Sequence, residues 1–266
     1  MRSPKGVFDL RAALSEEVRA AMNEFDAVAE DPMALHRCRV RLKRARSLAR
    51  VGGACAPGLS AVFVDSVRPV MRSLAPHREL LALRDTARAM AKSAPAKAAT
   101  ALAIAAESLD GERAGLPELN GEAIRARLKD LLALALVWPE ASAGQLRRGA
   151  RRVERRARRA RERWRAAVDP SVRHAWRKRE KDRYYAAMLL DDAWPGRRRR
   201  KIGSRLGDAL GDERDAALLM ERISADPSLA GGGKQARRAL RALGRRRRRL
   251  ARRADALGAR LRREAA

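Results

Sequence analysis

Aromatic residues are only 3% of the 266-residue chain. That scarcity argues against a surface that stacks bases along a single strand, since such surfaces interleave aromatic rings with cations. Strand formers are also scarce, with 13 Val, 4 Ile and 2 Thr against abundant Ala, Leu and Arg, which favours helix throughout. Cys38 and Cys55 have neither metal nor redox spacing and are too few for a disulfide framework. Both read as reduced packing residues, and three scattered histidines do not add a zinc site. The longest apolar run, Leu131 to Trp138, is too short to span a bilayer. The first residues, Met1-Arg-Ser-Pro-Lys-Gly, lack the apolar run of a signal peptide. The expectation is therefore a soluble, cytoplasmic protein with no membrane span. No acidic cluster stands out that would hold a metal for phosphate hydrolysis. Gly231-Gly-Gly-Lys234-Gln has neither the spacing nor the hydroxyl of a phosphate loop. No catalytic residue, cofactor or metal is expected, and the chain does not read as an enzyme.

What is present is positive charge. The formal net charge is +29 and the isoelectric point is near 11.6, so the partner is a polyanion: nucleic acid, polyphosphate or an acidic membrane surface. Hydrophobic residues at 46% are enough for a core, so the charge does not imply disorder. Of the 61 basic residues 52 are Arg and 9 Lys. A planar guanidinium fork grips phosphate with two parallel hydrogen bonds, although a coding bias toward Arg and Ala would give the same ratio.

The charge is organised in a stretch that occurs twice. Asp31-Pro32-x-x-x-His36-x-x-Arg39-x-Arg41-x-Lys43 returns as Asp169-Pro170-x-x-x-His174-x-x-Arg177-x-Arg179-x-Lys181, with six matches at one offset of 138 residues. In each copy Asp can cap a helix and Pro can take its first position. His, Arg at +3 and Lys at +7 then share one face; in the first copy Arg46 and Arg50 extend the row. Like charges so stacked destabilise a helix by roughly 0.2–0.5 kcal/mol per pair, so two such rows suggest two walls of one anion-binding groove. A second recurrence, Leu74-x-x-x-Arg78-Glu79 and Leu210-x-x-x-Arg214-Asp215, lies about forty residues beyond each His, with the acid expected to orient neighbouring cations.

Around these stretches the pattern predicts helices over 10–29, from the His36 segment to Gly52-Gly53, and from Pro57 to about Met90 with kinks at Pro69 and Pro76. Further helices are predicted over 95–109, 122–138, 145–167, from the His174 segment to Leu190, over 197–224 and over 234–263. Gly111 to Gly121 reads as a loop and Pro139 to Gly144 as a seam between halves. The expected fold class is all-α: two four-helix bundles related by internal duplication, about 8–138 and 145–263, with a basic groove between or across them.

The two His-x-x-Arg-x-x-x-Lys helices and the two Leu-x-x-x-Arg-acid segments resemble the CHAD domain, the conserved-histidine α-helical domain, over nearly the whole chain. The ending Asp255-Ala-Leu-Gly258-Ala-Arg260-Leu261 is similar to the family's last helix. The resemblance implies one CHAD-like domain that binds inorganic polyphosphate in a basic groove, at polyphosphate granules. It maps the family's basic residues onto His36, Arg39, Lys43, Arg44 and Arg46, and onto His174, Arg177, Lys178 and Lys181. Arg78 and Arg214 complete the primary candidates; Arg41, Arg152, Arg155, Arg179 and Arg183 are secondary ones. Departures are Tyr184 where the first copy has Arg46, Glu79 in place of Asp, and an acid at position 182 within the second basic row. The Glu-x-Glu-x-Lys signature of the triphosphatase domain often joined to this family is absent.

Polyphosphate has no bases and no sugars, so its receptor needs closely spaced Arg and Lys on rigid helices and little else. A phosphate-backbone binder of nucleic acid without sequence preference is the alternative, because that attraction needs only charge. An adaptor for acidic membranes is a third, weaker option, for which no exposed apolar helix face is evident. The two repeated histidines are expected to donate to phosphate oxygens, with affinity strengthening as pH falls through the histidine range.

Overall fold

The computed structural model describes residues 8–31, 33–166, 169–195 and 199–263. Among them the protein is all-α, with ten helices: α1 (Leu10–Asp26), α2 (Ala34–Gly52), α3 (Pro57–Ser73), α4 (Ala75–Ala91), α5 (Ala96–Ala114), α6 (Gly121–Leu136), α7 (Ala143–Ala166), α8 (Pro170–Leu190), α9 (Arg200–Ala225) and α10 (Gly233–Arg263). Short 3-10 turns follow α1, α8 and α9.

Local chemistry explains many of the ends. Asp9 caps α1 by accepting from the Ala12 amide at 2.9 Å, and Asn120 caps α6 through the Ala123 amide. Asp169 accepts from the Ser171 and Val172 amides while Pro170 takes the first helical position, as the repeat predicts. Its first copy differs. Helix α2 begins only at Ala34, with Met33 at the cap and no side-chain cap. Asp31 instead accepts from the Met33 amide and from Arg37, at 2.7 and 2.6 Å, which closes a turn ahead of the helix. Pro32 and Gly196 to Arg198 lie outside the described residues.

Two expected kinks resolve differently. Pro69 stands inside α3 without ending it, and the break falls at Leu74. Pro76 sits in the first turn of α4, where a missing N–H costs nothing because it has no helical acceptor. Gly111 continues α5 rather than opening a loop.

The chain divides into two compact units that do not follow its sequence halves. One runs up to Leu74 and resumes over Leu119–Gly203; the other takes Ala75–Glu118 and the chain from Ser204 on. Each unit thus draws helices from both sides of residues 139–144, which join α6 to α7 inside the first unit.

The first unit packs α1, α2, α3, α6, α7 and α8 around Leu14, Val18, Leu42, Leu48, Phe63, Val67, Leu128, Leu131 and Trp138, all fully buried. Each such side chain contributes about 1.5–3 kcal/mol. Phe63 meets Trp138 edge-on, with ring centroids 6.0 Å apart. Helix α7 rests on the end of α2 at Gly149, where an added Cβ would lie 2.0 Å from the Val51 carbonyl oxygen. Only glycine allows that approach.

The second unit packs α4, α5, α10 and most of α9 through Leu83, Ala87, Ala101, Leu102, Leu109, Leu219, Ile223, Ala239 and Leu243. Alanines make up much of the buried face of α5, and small side chains at a contact allow a short distance between helices.

Candidate functional site

The two basic rows belong to α2 and α8, which pack against each other in the first unit. Arg44 lies near Tyr184 and Tyr185, Arg46 near Lys178, and Arg50 near Arg179. His36 precedes Arg46 by ten residues and His174 precedes Asp182 by eight, so each stands about 15 or 12 Å along its own helix from the contact between Arg46 and Asp182. The two rows meet where Arg46 and Arg50 of α2 pair with Asp182 of α8.

Buried carboxylates balance the like charge near the crossing. Asp182 of α8 is 3% exposed and holds three guanidinium groups: Arg50 at 2.5 Å, Arg179 at 3.3 Å and Arg46 at 3.7 Å. The acid that interrupts the second row in sequence is therefore the anchor of the first. Glu17 of α1, equally buried, takes Arg44 at 2.7 Å and Arg41 at 3.4 Å. Burial raises the Glu17 carboxyl pKa, and the arginines lower it in part. For Arg44, burial outweighs Glu17 and lowers the pKa.

Other candidates divide between structural and exposed positions. Arg39 donates to the Met71 carbonyl at 2.5 Å. His36, Lys43, His174, Arg177 and Lys181 are half-buried and Lys178 is exposed. Burial, then Arg46 and its neighbours, lower the Lys178 pKa. Arg183 is 2% exposed and tied to Glu180 at 2.8 Å, with Glu180 also accepting from the Trp176 indole. That buried network removes Arg183 from the candidate surface, a correction the sequence could not supply. Arg152 donates to the Gly53 carbonyl at 3.3 Å, and Arg155 is exposed on the same helix. Arg78 and Arg214 belong to the second unit, where Arg214 reaches Glu221 at 3.5 Å rather than pairing with the adjacent Asp215.

Sequence reasoning did not show which arginines of other helices face those of α7. A cleft of about 420 Å³ is lined by Arg50 of α2, Val64 and Arg68 of α3, Arg156, Arg159 and Arg163 of α7, and Arg179 of α8. The +3/+4 spacing of Arg156, Arg159 and Arg163 marks one helix face, but nothing in sequence signals Arg68. Among the described residues, no cluster of three or more His, Cys, Asp or Glu side chains is placed to hold a metal ion. No helix there is long and apolar enough to cross a membrane.

Rows of cations on rigid helices attract anions. The family model for the CHAD domain matches residues 12–224, more than half of the chain, and the protein belongs to the CHAD-domain family. That family is associated with polyphosphate binding. A comparison with curated proteins finds no match.

Proposed function

We propose that this protein binds inorganic polyphosphate without turning it over, along the track of His36, Arg39, Lys43 and Arg46 on α2 and His174, Arg177, Lys178 and Lys181 on α8. The observation that carries this reading is that the helices bearing the two rows pack against each other in one compact unit. A row on one helix is a patch; two rows on packed helices make a longer cationic surface, and a linear polymer of phosphates is an anion long enough to use it. Buried Asp182 and Glu17 hold part of the row in place, so the cations are ordered before the ligand arrives and little side-chain entropy is lost on binding. In this reading the two histidine motifs descend from a duplicated helical bundle, with Arg78 and Arg214 as further cations on the second unit, and the protein resides in the cytoplasm at polyphosphate granules.

Binding of a nucleic-acid backbone is the competing reading, favoured by total charge alone. Competition separates the two. Long polyphosphate is expected to displace duplex DNA at well under the equivalent phosphate concentration, and its affinity is expected to rise with chain length. Displacement in proportion to charge would favour the nucleic-acid reading. Release of orthophosphate from long chains by the pure protein, abolished by an acidic-residue substitution, would overturn the non-enzymatic assignment.

A further inference from the structure

Arg156, Arg159 and Arg163 present one face of α7 to the cleft. The acids of α7 are engaged elsewhere, Glu162 with Arg158 and Glu154 with Arg183. Among the described residues no carboxylate lies within ion-pair distance of these three arginines. The remaining lining cations share two acids: Asp182, which serves Arg50 and Arg179, and Asp65, 3.2 Å from Arg68. Six arginines against two carboxylates leave an excess of +4 around one cleft of about 420 Å³. Its size falls in the usual range for a small-molecule site, about 300–1,000 Å³.

The arginines converge from four helices, unlike a solvated row on one helix. Their mutual repulsion is visible at Arg156, whose pKa is lowered first by burial and then by Arg179 and Arg152. Burial lowers Arg50 to about 10, with Asp182 opposing and Arg46, Arg179 and Arg156 adding to the shift. Both remain charged at neutral pH at a cost that a bound anion would offset.

We propose that this cleft is a second anion site, separate from the histidine track, and that it takes a compact linear oligophosphate of about three phosphates. Charge density selects this class. A terminal phosphate carries about −1.5 to −2 charges at pH 7, whereas an internal one has a single ionisable oxygen. A short chain with both ends in the cleft therefore concentrates the charge that six converging guanidinium groups require. Each fork can bind two phosphate oxygens. The middle of a long chain supplies less charge in the same volume and is better served by the track. The inference rests on the phosphate chemistry of the proposed function; the cleft adjoins the track at Arg50 and Arg179, which share Asp182 with Arg46, while Arg68, Arg156, Arg159 and Arg163 belong to the cleft and not to the two rows.

Calorimetric titration of the full chain with inorganic tripolyphosphate tests it, with orthophosphate, a nucleoside triphosphate and long-chain polyphosphate as further arms. The double variant Arg156→Gln/Arg159→Gln alters exposed residues, and Arg163→Glu provides an independent second variant. Both are expected to weaken tripolyphosphate binding at least tenfold while their helical circular dichroism matches the unchanged protein. Arg39→Gln/Lys43→Gln is expected to leave tripolyphosphate affinity within twofold. Similar affinity for the nucleoside triphosphate would support the site and show that it reads the phosphate tail; much weaker nucleotide binding would support a free oligophosphate. Unchanged tripolyphosphate affinity in both cleft variants would overturn the proposal, as would an equal loss in the Arg39/Lys43 variant. If long chains fail to bind the track while tripolyphosphate fills the cleft, the proposed function fails and this inference stands. If long chains bind the track while tripolyphosphate ignores the cleft, the proposed function stands and this inference fails.

Discussion

Helices α7 and α10 are both arginine helices, yet they meet their surroundings differently. In α10 the run Arg245 to Arg249 points around the helix: Arg246 reaches Asp212 at 3.7 Å, and the other four are exposed. In α7 the exposed arginines at 156, 159 and 163 meet Arg50, Arg68 and Arg179 from three other helices across one cleft. Similar composition therefore gives a solvated charge in one place and a concave field in the other. Low-dielectric walls focus the second and leave the first to be screened.

The largest expected effect comes from removing the acid that holds the converging side together. Asp182→Asn leaves Arg46, Arg50 and Arg179 without their shared carboxylate. Breaking a buried pair costs about 3–5 kcal/mol, and the lower end is expected because the arginines keep part of their hydration. Chemical denaturation should show the loss, and added polyphosphate should restore more stability to this variant than to the unchanged protein. Removing Asp212 beneath α10 should cost much less, since its arginine partner is more exposed. Equal costs would erase the contrast between the two regions.

Gly149→Ala comes next. A methyl placed 2.0 Å from the Val51 oxygen must push α7 off the end of α2, at about 1–3 kcal/mol for a strained contact. Because α7 carries half of the cleft's arginines, tripolyphosphate affinity should fall with the melting temperature. A stable variant with normal binding would show that α7 is not positioned by this contact. Gly244→Ala in α10 meets only flexible side-chain ends at 3.7 Å and should change little.

The smallest effect is at the start of α8. Hydrogen bonds from Ser171 and Val172 lower the folded-state pKa of Asp169 below its ordinary value. Its contribution is therefore present above the unfolded-state pKa and lost as pH falls through the folded one. Asp169→Ala should lower the melting temperature at pH 7, and that effect should shrink progressively as pH falls below the ordinary aspartate value of about 3.9. A deficit of the same size at both extremes would remove capping as the cause.

Most of the helices were legible because their signals are local. Asp169-Pro170 starts α8 as it should, and apolar spacing over Leu10, Leu14, Val18 and Phe25 marks α1. The start of α2 was misread because Asp31 binds Arg37 as well as the backbone, a choice made by side chains six residues apart. The candidate site was legible as two rows, since their residues repeat at fixed spacing. Their relation was not, because the packing of α2 on α8 joins positions more than 130 residues apart. For the same reason Asp182 read as a defect of the second row when it is the anchor of the first. Arg183 looked like surface, and only the indole–Glu180 contact shows it to be core. The interleaved composition of the two units was equally invisible, since the seam at 139–144 has every local mark of a boundary.

One binding measurement bears directly on whether position rather than amount of charge makes the receptor. Arg39→Gln/Lys43→Gln in the α2 row and Arg247→Gln/Arg248→Gln in the α10 run each remove two positive charges. Titrated with long-chain polyphosphate at one fixed salt concentration, the first pair is expected to lose at least tenfold in affinity and the second no more than about twofold. Equal losses would mean that the protein attracts polyanions by net charge alone, and the histidine track would have no special role.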